Sequence, residues 1–221
     1  MKPILIFLFC FISAGTISGQ MNTDSLKGII QSNGATYPQK IDALLILVKG
    51  YQLNNFDLAI LESDNAIALA RKKGDSSNVA VFLRLQGTAN YFKGKYDIAA
   101  INFYNSISIL EKLNNQKELA ATYNDLAKLY RKTRDLDKAL ENYNKADKLF
   151  RQIRDTGGIA MILNESGVVF EYKNDFKEAV NRYSASMALA EKTGDSLSVS
   201  YSLSNIAGVY VTEQRFELAE K

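Results

Sequence analysis

Two carboxylates in this 221-residue sequence have a spacing that could support acid–base chemistry. Asp125 and Glu165 lie 40 residues apart, so in a repeated structure they would occupy equivalent positions of neighbouring units. Two facing carboxyl groups are how glycosidases supply a general acid and a general base. Asn205 continues the series after another 40 residues, however, and an amide cannot take either role. We therefore interpret these side chains as repeat positions and expect no catalytic residues.

Other residue types that usually carry chemistry are missing. The sequence has no histidine, and its single cysteine, Cys10, lies inside an apolar run near the N-terminus. Without an imidazole or an available thiolate, the usual zinc sites and the Ser–His and Cys–His nucleophilic pairs are excluded. Gly157 and Gly158 lack a surrounding glycine-rich phosphate-binding pattern, so we interpret them as a loop between units. We expect no metal, no cofactor and no enzymatic activity.

The charge balance argues against nucleic acid as a partner. The 27 Lys and Arg residues are offset by 24 Asp and Glu residues, and the net charge of +3 is not concentrated in one block. Proteins that neutralise a phosphate backbone need a local excess of positive charge. Helical repeats that read bases place recurring polar pairs at fixed positions, and no such recurrence is present here.

The first 19 residues are typical of a signal peptide. Lys2 supplies a positive end, an apolar run covers 4–12, and small or polar residues at 13–19 precede Gln20. The run is about half the roughly 20 residues that a membrane helix requires, which favours cleavage after Gly19 over retention as an anchor. We expect an exported protein of the periplasm or the cell surface.

The rest of the chain is organised by a 40-residue repeat. An alanine recurs at this spacing, with a bulky apolar residue three positions before it each time. The alanines are Ala59, Ala99, Ala139, Ala179 and Ala219, and the bulky residues are Phe56, Tyr96, Leu136, Phe176 and Phe216. Twelve positions before four of the alanines lies another small residue, namely Gly87, Ala127, Gly167 or Ala207. Two antiparallel helices approach closely where one presents a small residue, so the pattern predicts helical hairpins.

Apolar residues within each unit follow helical spacing, and Gly, Asp and Asn mark the ends of the segments. The predicted helices cover 38–51, 56–73, 77–93, 96–113, 117–133, 136–153, 157–173, 176–193 and 197–213, with another starting at Phe216. A separate helix near 23–33 resembles the second half of a unit, and we expect it to cap the array. The predicted organisation is a signal peptide at 1–19, a capping helix within 20–37 and a repeat array over 38–221.

The repeat resembles the tetratricopeptide repeat, in the 40-residue variety of kinesin light chains and bacterial regulatory proteins. The segment Tyr123–Tyr130 is similar to the first-helix signature of that family, and 163–170 and 203–210 repeat it. This resemblance implies an all-α fold of tandem antiparallel helical hairpins, stacked as a right-handed superhelix. It also implies a concave groove, lined by the first helix of each hairpin, that holds a peptide or an extended segment of a partner protein.

The register of the family's groove positions gives the candidate binding residues. They are Arg84, Thr88, Tyr91, Asn124, Lys128, Arg131, Asn164, Glu171 and Ser204. Arg84, Lys128 and Arg131 could together bind a carboxylate, and tyrosine offers a flat amphipathic surface. If these side chains are instead a solvated surface, they only keep the protein soluble. We expect charge reversal at Arg131 to leave stability nearly unchanged while it weakens the binding of any ligand in the groove.

Two functions are consistent with these expectations. The first is an exported scaffold that binds a protein or a peptide through its concave face. The second is the extracytoplasmic sensory domain of a longer signalling protein, such as a histidine kinase or a transcriptional regulator, because a stack that stops inside a helix at Lys221 leaves an apolar face uncovered. A membrane segment beyond Lys221 would favour the second. The sequence does not specify the oligomeric state.

Overall fold

The structure, a computed structural model, describes residues 23–214, and within this range it contains ten helices and no strand. The predicted helix starting at Phe216 and the predicted signal peptide lie outside the described residues. The helices are α1 (23–31), α2 (Tyr37–Tyr51), α3 (Phe56–Lys72), α4 (Ser76–Phe92), α5 (Tyr96–Leu113), α6 (Gln116–Lys132), α7 (Leu136–Gln152), α8 (Thr156–Tyr172), α9 (Phe176–Thr193) and α10 (Ser196–Thr212).

The sequence predicted the bounds of α2 to α10 to within one residue. It also predicted a helix where α1 lies, whereas the capping role of α1 stays a prediction. One detail was wrong: Gly157 and Gly158 belong to the first turn of α8 and are not a loop. A Cβ on Gly158 would lie 2.4 Å from Cδ1 of Phe150, so this position needs glycine because the ring occupies the space.

The turns between helices recur every 20 residues, at half the sequence repeat. From the α3–α4 turn to the α9–α10 turn, one residue in each turn has a positive φ, at Gly74, Gly94, Asn114, Arg134, Arg154, Asn174 and Gly194. The residue after it is the N-cap of the next helix, and in most of these turns it is Asp or Asn, whose side chain accepts a hydrogen bond from the backbone N–H three residues later. A left-handed end followed directly by an N-cap reverses the chain within a few residues, which makes consecutive helices antiparallel.

The chain forms two compact units, residues 1–93 and 94–221, of which the structure describes 23–93 and 94–214. In unit 1, α3 packs against α2 and α4, and α2 also touches α4. Leu47 is 3% exposed, so the departure from a small residue at this repeat position is accommodated inside the core.

In unit 2, each helix from α5 to α10 packs against the next, and α8 also contacts α6 and α10. The core alternates small residues with aromatic rings, as the sequence predicted: Ala139 and Tyr143 on α7, and Ala179 and Tyr183 on α9, are all 0% exposed. Along the described residues, no helix is both long and apolar enough to cross a membrane.

Candidate functional site

The first helices of successive hairpins lie side by side in unit 2, because α8 contacts both α6 and α10. Six of the nine predicted binding residues are on these helices. We use the name three-helix face for the surface of α6, α8 and α10 that carries Lys128, Arg131, Met161, Asn164, Glu165, Tyr201, Ser204 and Asn205. Hydrogen bonds and ion pairs across the helices join its members.

Glu165 is the centre of the charged part of this face. Its carboxylate accepts from Nη2 of Arg131 at 2.9 Å and lies 3.4 Å from Nζ of Lys128. The Tyr143 hydroxyl lies 3.5 Å from the same carboxylate. The Lys128, Arg131 and Glu165 side chains are 30%, 21% and 22% exposed, so this cluster is shielded from water but still reachable. The two cations predicted to bind a partner's carboxylate therefore already share one within the chain.

The cluster also shifts the ionisation of Arg131. Burial by itself lowers the pKa of this guanidinium, but the acidic groups of Tyr143 and Glu165 outweigh burial and raise its pKa. Arg131 is therefore cationic at every pH of interest. Its Nε is buried and has no acceptor among the described residues.

Between Asn164 on α8 and α10, the members of this face carry no charge. Nδ2 of Asn205 donates to Oδ1 of Asn164 at 3.0 Å, which ties the two helices together. Met161 and Tyr201 lie one turn before these amides and are 38% and 59% exposed, and Ser204 is exposed beside them. Amide groups flanked by exposed apolar side chains can bind a backbone and its apolar side chains together.

Two further predicted residues of unit 2 are Asn124 and Glu171. Asn124 is only 3% exposed, and its Oδ1 has no hydrogen-bond partner within the described range, so a ligand could reach it only if its neighbours moved. Glu171 accepts a 2.5 Å hydrogen bond from the hydroxyl of Tyr183. Burial, followed by this bond, raises the pKa of Tyr183, so its hydroxyl stays protonated. Glu171 thus holds a core tyrosine in place.

The three predicted residues of unit 1 lie on α4. The hydroxyl of Thr88 donates to the backbone carbonyl of Arg84 at 3.1 Å, and both side chains are half-buried. Tyr91 packs edge-on against Phe92 with ring centroids 5.2 Å apart, and Phe92 stacks on Phe56 at 5.4 Å. Tyr91 is therefore part of an aromatic cluster of unit 1.

The sequence did not identify Glu165 or Asn205 as members of a binding surface. It identified them as repeat positions and considered Glu165 only as half of a catalytic pair. Charge could have identified Glu165, because this acidic residue lies on α8 beside two basic residues on α6. A second contact that it did not identify is the guanidinium of Arg134, which stacks on Tyr172 at 4.0 Å from the ring centroid.

The described residues provide neither a free acid–base pair at Glu165 nor a cluster of metal ligands. The Glu165 carboxylate is occupied by two cations, which removes it from any acid–base pair with Asp125. No group of three acidic or sulfur-containing side chains in residues 23–214 could hold a metal ion.

Comparison with known proteins agrees with the fold described above. Residues 79–152 match the family model of the tetratricopeptide repeat (TPR). A comparison with curated protein sequences gave no match. BtubC (BKLC) from P. vanneervenii has a similar crystal structure, with a TM-score of 0.74 and 17% identity, over 95% of this chain and 87% of that one.

Two further crystal structures share the fold. A putative kinesin light chain from Podosopora anserina aligns with a TM-score of 0.67 and 17% identity, over 84% of this chain and 92% of that one. A Rap protein complexed with Competence and Sporulation Factor aligns with a TM-score of 0.75 and 17% identity, over 91% of this chain but only 55% of that one. The fold class is therefore all-α, built from tandem antiparallel hairpins stacked as in TPR solenoids.

Proposed function

We propose that this chain is a TPR-type scaffold that binds an extended peptide segment of a partner protein on the three-helix face. The observation that carries the proposal is the Asn164–Asn205 hydrogen bond, with Met161 and Tyr201 exposed beside it. Together these side chains offer amide groups and apolar surface at one place, which is what binding a peptide backbone and its apolar side chains requires.

The dimensions of the face suit this ligand. Packed helices lie about 8 to 10 Å apart, so three of them side by side span roughly 20 to 30 Å. An extended peptide covers about 3.3 Å per residue, so about six to nine residues would cross all three helices. The Rap protein of similar fold was crystallised with Competence and Sporulation Factor, which supports peptide binding by analogy only.

A peptide selection tests the proposal. Peptides that bind the wild-type protein would be selected from a displayed library of random octamers, and the affinity of the best one measured by fluorescence anisotropy. Ser204 is exposed on the face, so S204R places a long cation there without removing a core contact. The matched control is N144R, at an exposed position of α7, which is a second helix of its hairpin.

We expect S204R to weaken the affinity for the selected peptide by tenfold or more. N144R should leave this affinity within twofold of the wild-type value. Both variants should keep the wild-type melting temperature, since neither position is buried. If N144R lowers the affinity for the selected peptide and S204R does not, the peptide binds elsewhere on the protein and the proposal is wrong.

We also propose that the protein is exported, and this proposal rests on the pattern of residues 1–19. Expression of the full chain in a Gram-negative host, followed by fractionation and mass spectrometry, tests it. The expected product is periplasmic and begins at Gln20. A cytoplasmic product that retains residues 1–19 would contradict export, and this result would leave the peptide-binding proposal unaffected.

A further inference from the structure

The cationic pair on the three-helix face is complemented by the chain itself. Lys128 and Arg131 both contact Glu165, and each oxygen of the carboxylate has its own cation: Oε1 is nearer to Lys128 and Oε2 to Arg131. Asp125 lies one turn before Lys128 on the same helix and adds a second carboxylate. Carboxylates and cations therefore partly offset one another in this part of the face.

This balance affects which ligands the face can hold. An acidic ligand would gain Lys128 or Arg131 only by displacing Glu165, and the displaced carboxylate would stay close to the ligand's own. Like charges brought together at a shielded site repel one another, and desolvation adds to the cost. The neighbouring groups that a ligand would touch, Met161, Asn164, Tyr201 and Ser204, are uncharged.

We infer that Glu165 is a built-in counter-ion that makes the three-helix face select uncharged, apolar peptide segments and disfavour acidic ones. This inference rests on the proposed function, because it assigns the class of peptide that the face takes. It gives Glu165 the part of a specificity residue: the carboxylate occupies the place that an acidic side chain of a ligand would otherwise take.

Two pools of capped octapeptides provide the test. They are identical except that four fixed positions carry leucine in one pool and glutamate in the other, and binding to each is measured by fluorescence anisotropy at low salt. Wild-type protein should bind the leucine pool at least tenfold more tightly than the glutamate pool. E165Q frees both cations, so it should bind the glutamate pool at least tenfold more tightly than the wild type does.

The control variant is E191Q, which removes the same charge at an exposed position of α9, a second helix of its hairpin. Glu191 forms no ion pair with Lys128 or Arg131 within the described residues, so E191Q should leave the preference for leucine unchanged. Adding K128Q and R131Q together to E165Q should abolish the gain. Equal gains in E165Q and E191Q would mean a general effect of net charge and would overturn the inference.

The outcomes for the two proposals are separable. If neither pool binds the wild type, but E165Q binds the glutamate pool and the triple variant that adds K128Q and R131Q does not, then Glu165 is the counter-ion and the proposed peptide-binding function of the wild type is wrong. If the wild type binds the glutamate pool as tightly as the leucine pool, the peptide-binding function stands and the inference about Glu165 is wrong.

Discussion

Gly167 on α8 lies directly against the ring of Tyr183 on α9, so close that a Cβ on the glycine would be 2.5 Å from Cε1 of the ring. The ring cannot easily move, because Tyr183 is 0% exposed and its hydroxyl is bound to Glu171. G167A should therefore lower the free energy of unfolding by about 1 to 3 kcal/mol through overpacking. Urea denaturation followed by circular dichroism measures this loss.

Gly208 is the matched control for this substitution. It lies inside α10 and is exposed, and an added Cβ would meet nothing within 4 Å. G208A should stabilise the protein by up to about 1 kcal/mol, because alanine favours a helix more than glycine does. If G167A were as stabilising as G208A, the close packing of α8 on α9 would be refuted.

The sequence predicted this packing because small and large residues meet at fixed positions of the repeat. Gly167 is one of the small residues that recur twelve positions before the alanines, and the Tyr183 ring packs directly against it. Helix bounds followed for the same reason, since the turn residues recur with the core. The sequence could not show that the core accommodates Leu47 or that the Phe150 ring requires glycine at Gly158, because both depend on how neighbouring side chains fill space.

Arg154 adopts a left-handed backbone conformation with φ 57°, in a turn where the equivalent residue 80 positions earlier is Gly74. A non-glycine residue in this region costs roughly 1 kcal/mol, whereas glycine adopts it readily. R154G should raise the free energy of unfolding by about 0.5 to 1 kcal/mol, with part of the gain offset by the larger entropy of glycine in the unfolded chain. The reverse change, G74R, should lose a similar amount, and urea titrations of both variants check the symmetry.

The N-cap carboxylate of Asp75 should make stability depend on pH. Burial raises the pKa of Asp75, but hydrogen bonds from Asn78 and from the Tyr37 hydroxyl outweigh burial, so the pKa is lowered on folding. A lowered pKa gives stabilisation that is complete well above the unfolded value of about 3.9 and is lost as the pH falls through the folded value.

D75N retains an acceptor for the cap but does not titrate. The wild type should therefore be more stable than D75N at pH 7, and the difference should shrink as the pH falls below about 4. Urea denaturation at several pH values between 3 and 7 measures it. Y37F removes one donor to Asp75, so against a Y37F background the D75N effect should be smaller. A difference that grows on acidification would contradict the assigned sign.

Charge reversal at Arg131 should destabilise the protein, contrary to the expectation from sequence alone. R131E would place two carboxylates where Arg131 now donates to Glu165, in a cluster only about one-fifth exposed. We expect a loss of about 1 to 3 kcal/mol, the cost of an unpaired, partly buried charge. The control is K132E, one residue further on an exposed position, which should change stability by less than about 0.5 kcal/mol. Equal melting temperatures for both variants would contradict the role given to Glu165.

The candidate site was less predictable from sequence than the fold. The register predicted a shared groove position for Lys128 and Arg131 on α6, but it could not show that Glu165 binds them or that Asn124 is buried. Contacts between side chains of different helices depend on the rotation of each helix about its axis and on the side-chain rotamers. The spacing of residues in a sequence repeat specifies neither of these. What the sequence lacked was information on which charged side chains form ion pairs with one another.

The most direct test of peptide binding on the three-helix face is a chemical-shift titration. A peptide selected from the random octamer library would be added to ¹⁵N-labelled protein, and the amide shifts of unit 2 followed by NMR. We predict that the largest shifts cluster on α6, α8 and α10, around Lys128, Asn164 and Ser204, with small shifts along α5, α7 and α9. Shifts concentrated on α5, α7 and α9 would show that the partner binds the second helices, and the proposed function of the three-helix face would be wrong.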